Sequence, residues 1–193
     1  MVRLNKTGYA KVNGARLYYE EGGTGEPLLL LHAGVADSRM WDAQFAEFAR
    51  DFRTIRVDLR GFGLSQMPSG EFCNYEDVAE MLNVLGVERA QVLGLSFGGL
   101  IALDFALAYP DRVSALALVA PSVSGSQPSQ RIKDYWEAEQ EAFEDGDLEG
   151  MTELNLRFWV DGPQRKAGQV DADVRALVGR MQREIFEMEI PDD

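Results

Sequence analysis

Four short aliphatic runs constrain this chain more than any other feature: Leu28–Leu31, Thr54–Val57, Gln91–Leu95 and Val113–Val119. Each is strand-sized and continuous rather than alternating, as expected of strands buried on both faces of a parallel sheet. Helical spacing fills the gaps between them. Trp41, Phe45, Phe48 and Ala49 predict a helix over about Met40–Arg50. Val78, Met81, Leu82 and Leu85 predict another over Tyr75–Leu85, stopped by Gly86, and an Ala/Leu-rich stretch over Phe97–Tyr109 halts before Pro110. Strands alternating with helices at this spacing mean βαβ units and an α/β fold. Upstream, Asn13-Gly14 supplies the positive φ angles of a tight hairpin turn between two further strands.

The texture changes after Pro121. Ser122–Ser129 reads as a loop, and three helical stretches follow at about Ile132–Asp145, Leu148–Trp159 and Asp171–Glu189. Gly146-Asp147 and Gly162-Pro163 break them apart. The expected division is a core over residues 1–120 and a helical segment over 121–193. The acidic run Glu137, Glu139, Glu141, Glu144 and Asp145 reads as a solvated helix face.

Charge narrows the partners. The formal net charge is −13, so the surface repels phosphate backbones and anionic headgroups, and neither nucleic acid nor membrane is expected as a partner. No run approaches the ~18 apolar residues of a membrane span, and the first residues lack a signal-peptide core. The single cysteine, Cys73, permits no disulfide within the chain, fits a cytoplasmic location and reads as a packing residue. No metal or cofactor is expected.

Chemistry enters at Gly94-Leu95-Ser96-Phe97-Gly98, placed between a buried strand and a long helix. A strand–turn–helix junction this tight forces the serine into a strained backbone and leaves no room for side chains two positions to either side. Ser96 Oγ then projects above the strand ends. The helix N-terminus beneath it offers N–H groups to a developing oxyanion.

Three segments together, Leu28–Gly34, Asp58–Ser65 (Asp-Leu-Arg-Gly-Phe-Gly-Leu-Ser) and Gly94–Gly99, resemble successive signatures of the α/β-hydrolase superfamily, in its order and spacing. Together they resemble bacterial hydrolases of the small-ester and enol-lactonase type. It implies a serine hydrolase acting on a small-molecule ester or lactone, with Ser96 as nucleophile. The oxyanion donors would be the N–H of Phe97 and that of Gly34 or Ala33, and the helices after Pro121 would form the family's cap. Perhydrolase chemistry on the same nucleophile stays open. Ser96 argues against the carboxylate nucleophile of haloalkane dehalogenases.

His32 is the only histidine. As a base it would take the proton of Ser96; as a structural residue, the role its match holds in relatives, it would order the Ala33–Gly34 loop and border the substrate. The structural reading is favoured, because the family's catalytic histidine follows the last strand. Asp58 and Arg60 are expected to be structural. Trp41 and Phe158 read as packing, whereas Trp136 and Trp159 are weak candidates for the substrate pocket.

In the family the triad acid and histidine follow strands beyond the cap, and this sequence ends at Pro191-Asp192-Asp193. The expectation is therefore a chain lacking the last two strands of its fold. Neither Asp161 nor Asp171 is expected to replace the acid. Such a chain would be weak or inactive alone, or else a non-catalytic interaction module. Its bare Val113–Val119 edge is expected to self-associate or to bind a complementary C-terminal fragment.

Overall fold

The computed structural model describes residues 4–166 and 168–188. The expected helix end at Glu189, the terminus Pro191–Asp193 and the first three residues lie outside them. The chain divides into two compact units, one reaching to Ser124 and the other running Gly125–Met188.

The first unit is built on a six-stranded sheet. A hairpin of β1 (Leu4–Val12) and β2 (Ala15–Gly22) turns at Asn13-Gly14, with φ of 40° and 82°. Then come β3 (Pro27–Leu31), α1 (Asp42–Phe48), β4 (Arg53–Val57), α2 (Asn74–Val84), β5 (Ala90–Leu95), α3 (Phe97–Ala108) and β6 (Val113–Val119). A single 3-10 turn, Ser38–Trp41, leads into α1, so the expected helix over 40–50 is shorter and tighter at its start. The sheet order is β1-β2-β4-β3-β5-β6, with β3 through β6 parallel to one another. β4 thus lies between the hairpin and β3 and pairs antiparallel with β2.

Alternation in β3 divides the core. Leu29 and Leu31 face one side, packed with Val12, Leu17, Ile55, Val57, Met81, Leu82, Ile101 and Phe105. Leu28 and Leu30 face the other, against Trp41 and Phe45. All four leucines are buried, as a central parallel strand requires. Trp41 is core packing.

Val113–Val119 forms the expected strand and is the expected bare edge: Ser114–Ala117 and Val119 are exposed, although the aliphatic run alone reads as a buried interior strand. An aliphatic run reads as interior from composition, yet burial is supplied by neighbours in space. β6 pairs with β5 alone and ends the sheet on that side.

The second unit holds α4 (Gln130–Glu144), α5 (Leu148–Asn155) and α6 (Ala172–Phe186). The expected helix over 148–159 keeps its α form only to Asn155 and continues as a π-helix, Leu156–Asp161, which ends at Gly162 with φ 72°. Side chains cap each start: Ser129, Asp147 and Asp171 accept from amides of the first turn. Tyr135 is buried between α4 and α5, with its hydroxyl 2.7 Å from both Glu139 Oε1 and Asn155 Oδ1. Burial, and then the Glu139 carboxylate, push that phenol well above its usual range. Among the described residues no helix is long and apolar enough to cross a membrane.

Candidate active site

Ser96 sits between β5 and α3 with φ 54° and ψ −111°, a region L-residues rarely occupy. Its neighbours explain how the turn closes. A methyl group on Gly94 would run into the carbonyl of Gly98, and one on Gly98 into the carbonyls of Leu31 and His32. Those obstacles are backbone, so neither position tolerates a side chain without moving the sheet. The same closeness brings the end of β3 against the start of α3. A methyl built on Gly34 would lie 3.3 Å from Phe97 Cβ, so the Ala33–Gly34 loop and Phe97 are immediate neighbours.

The two amides of that loop are not equivalent. Ala33 N–H is directed at Met40 Sδ, 3.3 Å away, and Ala33 O accepts from Ala36 N–H. Sequence spacing gave no sign of the Met40 contact, because thioether acceptors leave no motif.

His32 is completely buried. Leu59 N–H donates to its Nε2 at 2.9 Å, and Nδ1 lies 2.9 Å from Ala33 O. This fixes the tautomer: Nε2 is the acceptor and Nδ1–H the donor. Burial holds the imidazole below its usual pKa, partly offset by the Ala33 carbonyl and by the charges of Asp58 and Asp37. The ring is therefore neutral and has no nitrogen left to receive a proton from Ser96. Phe62 packs edge-on against it at 4.9 Å between centroids and reaches Phe97 at 6.1 Å.

The loop carrying Phe62 is held by its own polar residues. Asp58 Oδ1 accepts from Ser38 N–H at 2.9 Å, and Oδ2 from Leu64 N–H at 2.8 Å. Arg60 pairs with Asp77 at 2.8 and 2.9 Å, with both side chains almost wholly buried, and it also reaches Asn13 O. Asp58 and Arg60 are thus committed to structure. Asp77, the partner of Arg60, was not singled out in the sequence because it reads there as an ordinary acidic residue in a helix's first turn.

Trp136 and Trp159 both lie in the second unit and are about half exposed. Trp159 stands against Tyr135 and Phe158 in an aromatic cluster. Asp161 is bound to Arg175, and Asp171 caps α6. Among the described residues no three His, Cys, Asp or Glu side chains gather to hold a metal ion.

Comparison with known proteins places this geometry in context. A family profile described as "alpha/beta hydrolase fold" matches residues 26–187. An uncharacterized carboxylesterase of Bacillus subtilis is 34% identical over 100 residues, covering 50% of this chain and 33% of the relative. The 2-hydroxymuconate semialdehyde hydrolase of a Pseudomonas species is 34% identical over 130 residues, covering 64% of this chain and 46% of the relative. Among solved structures, a hydrolase from Pseudomonas aeruginosa superposes with a TM-score of 0.76 at 28% identity, over 95% of this chain and 70% of that one. The enol-lactonase from Burkholderia xenovorans superposes with a TM-score of 0.71 at 25% identity, over 93% of this chain and 70% of that one. The matches to the two curated relatives thus span 33% and 46% of their lengths.

Proposed function

Because the chain belongs to the α/β-hydrolase fold family, a family of hydrolases, we propose that it carries the nucleophile and oxyanion site of a serine hydrolase cleaving a small ester or lactone. One observation carries the reading: Ser96 holds a strained φ of 54° at a strand–helix turn, beside the Gly34 loop and the first amide of α3. Gly34 and Phe97 are the natural oxyanion donors, since Ala33 N–H is occupied by Met40. The carboxylesterase and enol-lactonase among the similar proteins support the ester or lactone class.

In this mechanism Ser96 Oγ attacks the substrate carbonyl while a base removes its proton. The two amides bind the tetrahedral oxyanion, the leaving oxygen departs protonated, and water then releases the acyl group from Ser96. His32 cannot be that base, with both nitrogens engaged and the ring buried. As it is the only histidine of these 193 residues, an imidazole base for Ser96 would come from other polypeptide. The exposed outer edge of β6 is where a further strand, bringing that imidazole, would pair. A second copy pairing there would instead make the chain an interaction module.

Free imidazole tests the proposal. A fluorophosphonate should leave Ser96 of the chain unlabelled in plain buffer and label it once imidazole is supplied: Oγ bonds to phosphorus, fluoride leaves, and the imidazole takes the proton. Peptide mass spectrometry locates the adduct, and Ser96→Ala should abolish it. Fast labelling without imidazole, or an adduct elsewhere in the chain, would refute this reading.

A further inference from the structure

We infer that the turn Val119–Ser122, which follows β6, aims the oxyanion donor of the elbow, with Ala120 as its bend and the Ser122 amide as its contact. The inference rests on the reading of Ser96 as nucleophile and adds to it a positioning device.

Three residues other than glycine have positive φ among the described residues: Asn13, Ser96 and Ala120. Asn13 belongs to an Asn-Gly hairpin turn, where that conformation is required. Ser96 is the elbow. Ala120, at φ 44°, has no such excuse, because alanine lacks the side-chain polar group that lets asparagine bond locally in this region. An unfavourable backbone persists only when its surroundings fix it.

The surroundings here are the elbow itself. Ser96 N–H donates to Val119 O at 2.9 Å, extending the pairing of β5 with β6 by one residue. Ser122 N–H then returns to Ser96 O at 3.2 Å, beside Leu100 N–H at 3.0 Å from the first turn of α3. Had the chain continued as a strand past Val119, each residue would have moved on by about 3.3 Å and carried Ser122 away from Ser96. The left-handed Ala120 bends it back instead. Pro121 seats the bend on α3: its Cβ and Cα lie 3.0 and 3.1 Å from where a methyl on Gly99 would be.

The consequence follows from peptide geometry. Ser96 C=O and Phe97 N–H belong to one planar trans peptide, so they point in opposite directions. Holding the oxygen fixes the direction of the N–H. Ser122 and Leu100, both bonded to Ser96 O, therefore aim Phe97 N–H toward the side where an oxyanion would form. Hydrogen bonds accepted by the carbonyl also polarise the N–H of the same unit.

The test uses the chain itself, in four variants. Ser122→Pro removes the amide hydrogen, and Ala120→Val disfavours the left-handed bend. Ser122→Ala and Ala120→Gly keep the contact. Both positions are exposed, and far-ultraviolet circular dichroism confirms the fold of each. The Ser122 amide of the parent should be protected from hydrogen exchange, and the Ser96 carbonyl carbon resonance should move in Ser122→Pro but not in Ser122→Ala. Imidazole-dependent labelling should be retained in Ser122→Ala and Ala120→Gly. It should fall by about tenfold or more in Ser122→Pro and Ala120→Val, since a misaimed group at a reacting centre loses up to roughly 10²-fold. A folded Ser122→Pro that labels as fast as Ser122→Ala overturns the inference, and so does an unprotected Ser122 amide. A parent that imidazole fails to activate refutes the reading of Ser96 as nucleophile instead. The carbonyl resonance still decides the clasp in that case: an identical signal in the two Ser122 variants overturns it.

Discussion

Protonation of His32 is the perturbation with the clearest energetic consequence. The ring is fully buried, and Leu59 N–H already points at Nε2 from 2.9 Å. A proton placed there would set donor against donor and bury a charge, which the nearby Asp58 and Asp37 offset only in part. The folded-state pKa therefore lies below the ordinary value of 6.5. Above that value the ring is neutral in both folded and unfolded chains and contributes no pH dependence. As pH falls through about 6.5 the unfolded chain takes up a proton that the folded chain refuses, so stability drops, by up to about 1.4 kcal/mol per pH unit. Unfolding free energy from urea titration should hold steady between roughly pH 8 and 7 and decline as pH falls below about 6.5. Below about pH 5 carboxylates add their own dependence, so the informative window lies above it. Because the chain has one histidine, its ring resonances need no mutagenesis to assign. The folded protein should show no imidazole titration near pH 6.5. A ring that protonates at or above its ordinary pKa while the chain stays folded would refute the hydrogen-bond scheme and return His32 to candidacy as the base.

Other substitutions probe separate parts of the frame. Asp77→Asn leaves the Arg60 guanidinium buried without its carboxylate, a pair whose side chains are each 3% exposed, and should cost about 3–5 kcal/mol in chemical denaturation. Gly98→Ala drives a methyl into the carbonyls of Leu31 and His32 and should cost about 3 kcal/mol or more, visible as poor recovery of folded protein. Tyr135→Phe removes a hydroxyl 2.7 Å from Glu139 and Asn155. It should lower the stability of the helical unit by about 1 kcal/mol, read from hydrogen exchange along α4 and α5.

The features legible in the sequence are those that a few neighbouring residues decide. Asn13-Gly14 specifies its turn and Gly94 the close approach of Gly98 across the elbow, because each depends on residues adjacent along the chain. Features that depend on partners distant along the chain were not legible. Arg60 reads as structural, yet nothing near it in the sequence marks its main partner, Asp77, 17 residues on. Met40 takes the Ala33 amide across seven residues, a contact that the His-Ala-Gly sequence does not announce. Ala120 carries no sequence mark at all, since nothing about an alanine after a strand announces a left-handed backbone.

These contacts also separate the shape of the site from its reactivity. Ser96 is held by Val119, Leu100 and Ser122, and the neighbouring Gly34 loop by His32, Leu59 and Met40. Apart from the Met40 thioether and the His32 ring, these holds are backbone to backbone, and all of them lie within the first unit. None requires a base next to the serine. The strained serine backbone and the placement of the Gly34 loop are therefore set within the folded core, and on the proposed reading proton removal falls to another group. A serine hydroxyl without a base stays neutral and nucleophilically poor, however well it is placed, while oxyanion donors and binding alone leave an acceleration of roughly 10³–10⁴ over water in well-studied serine hydrolases. On the proposed reading, adding a base, and not rebuilding the elbow, is the shortest route from this geometry to turnover.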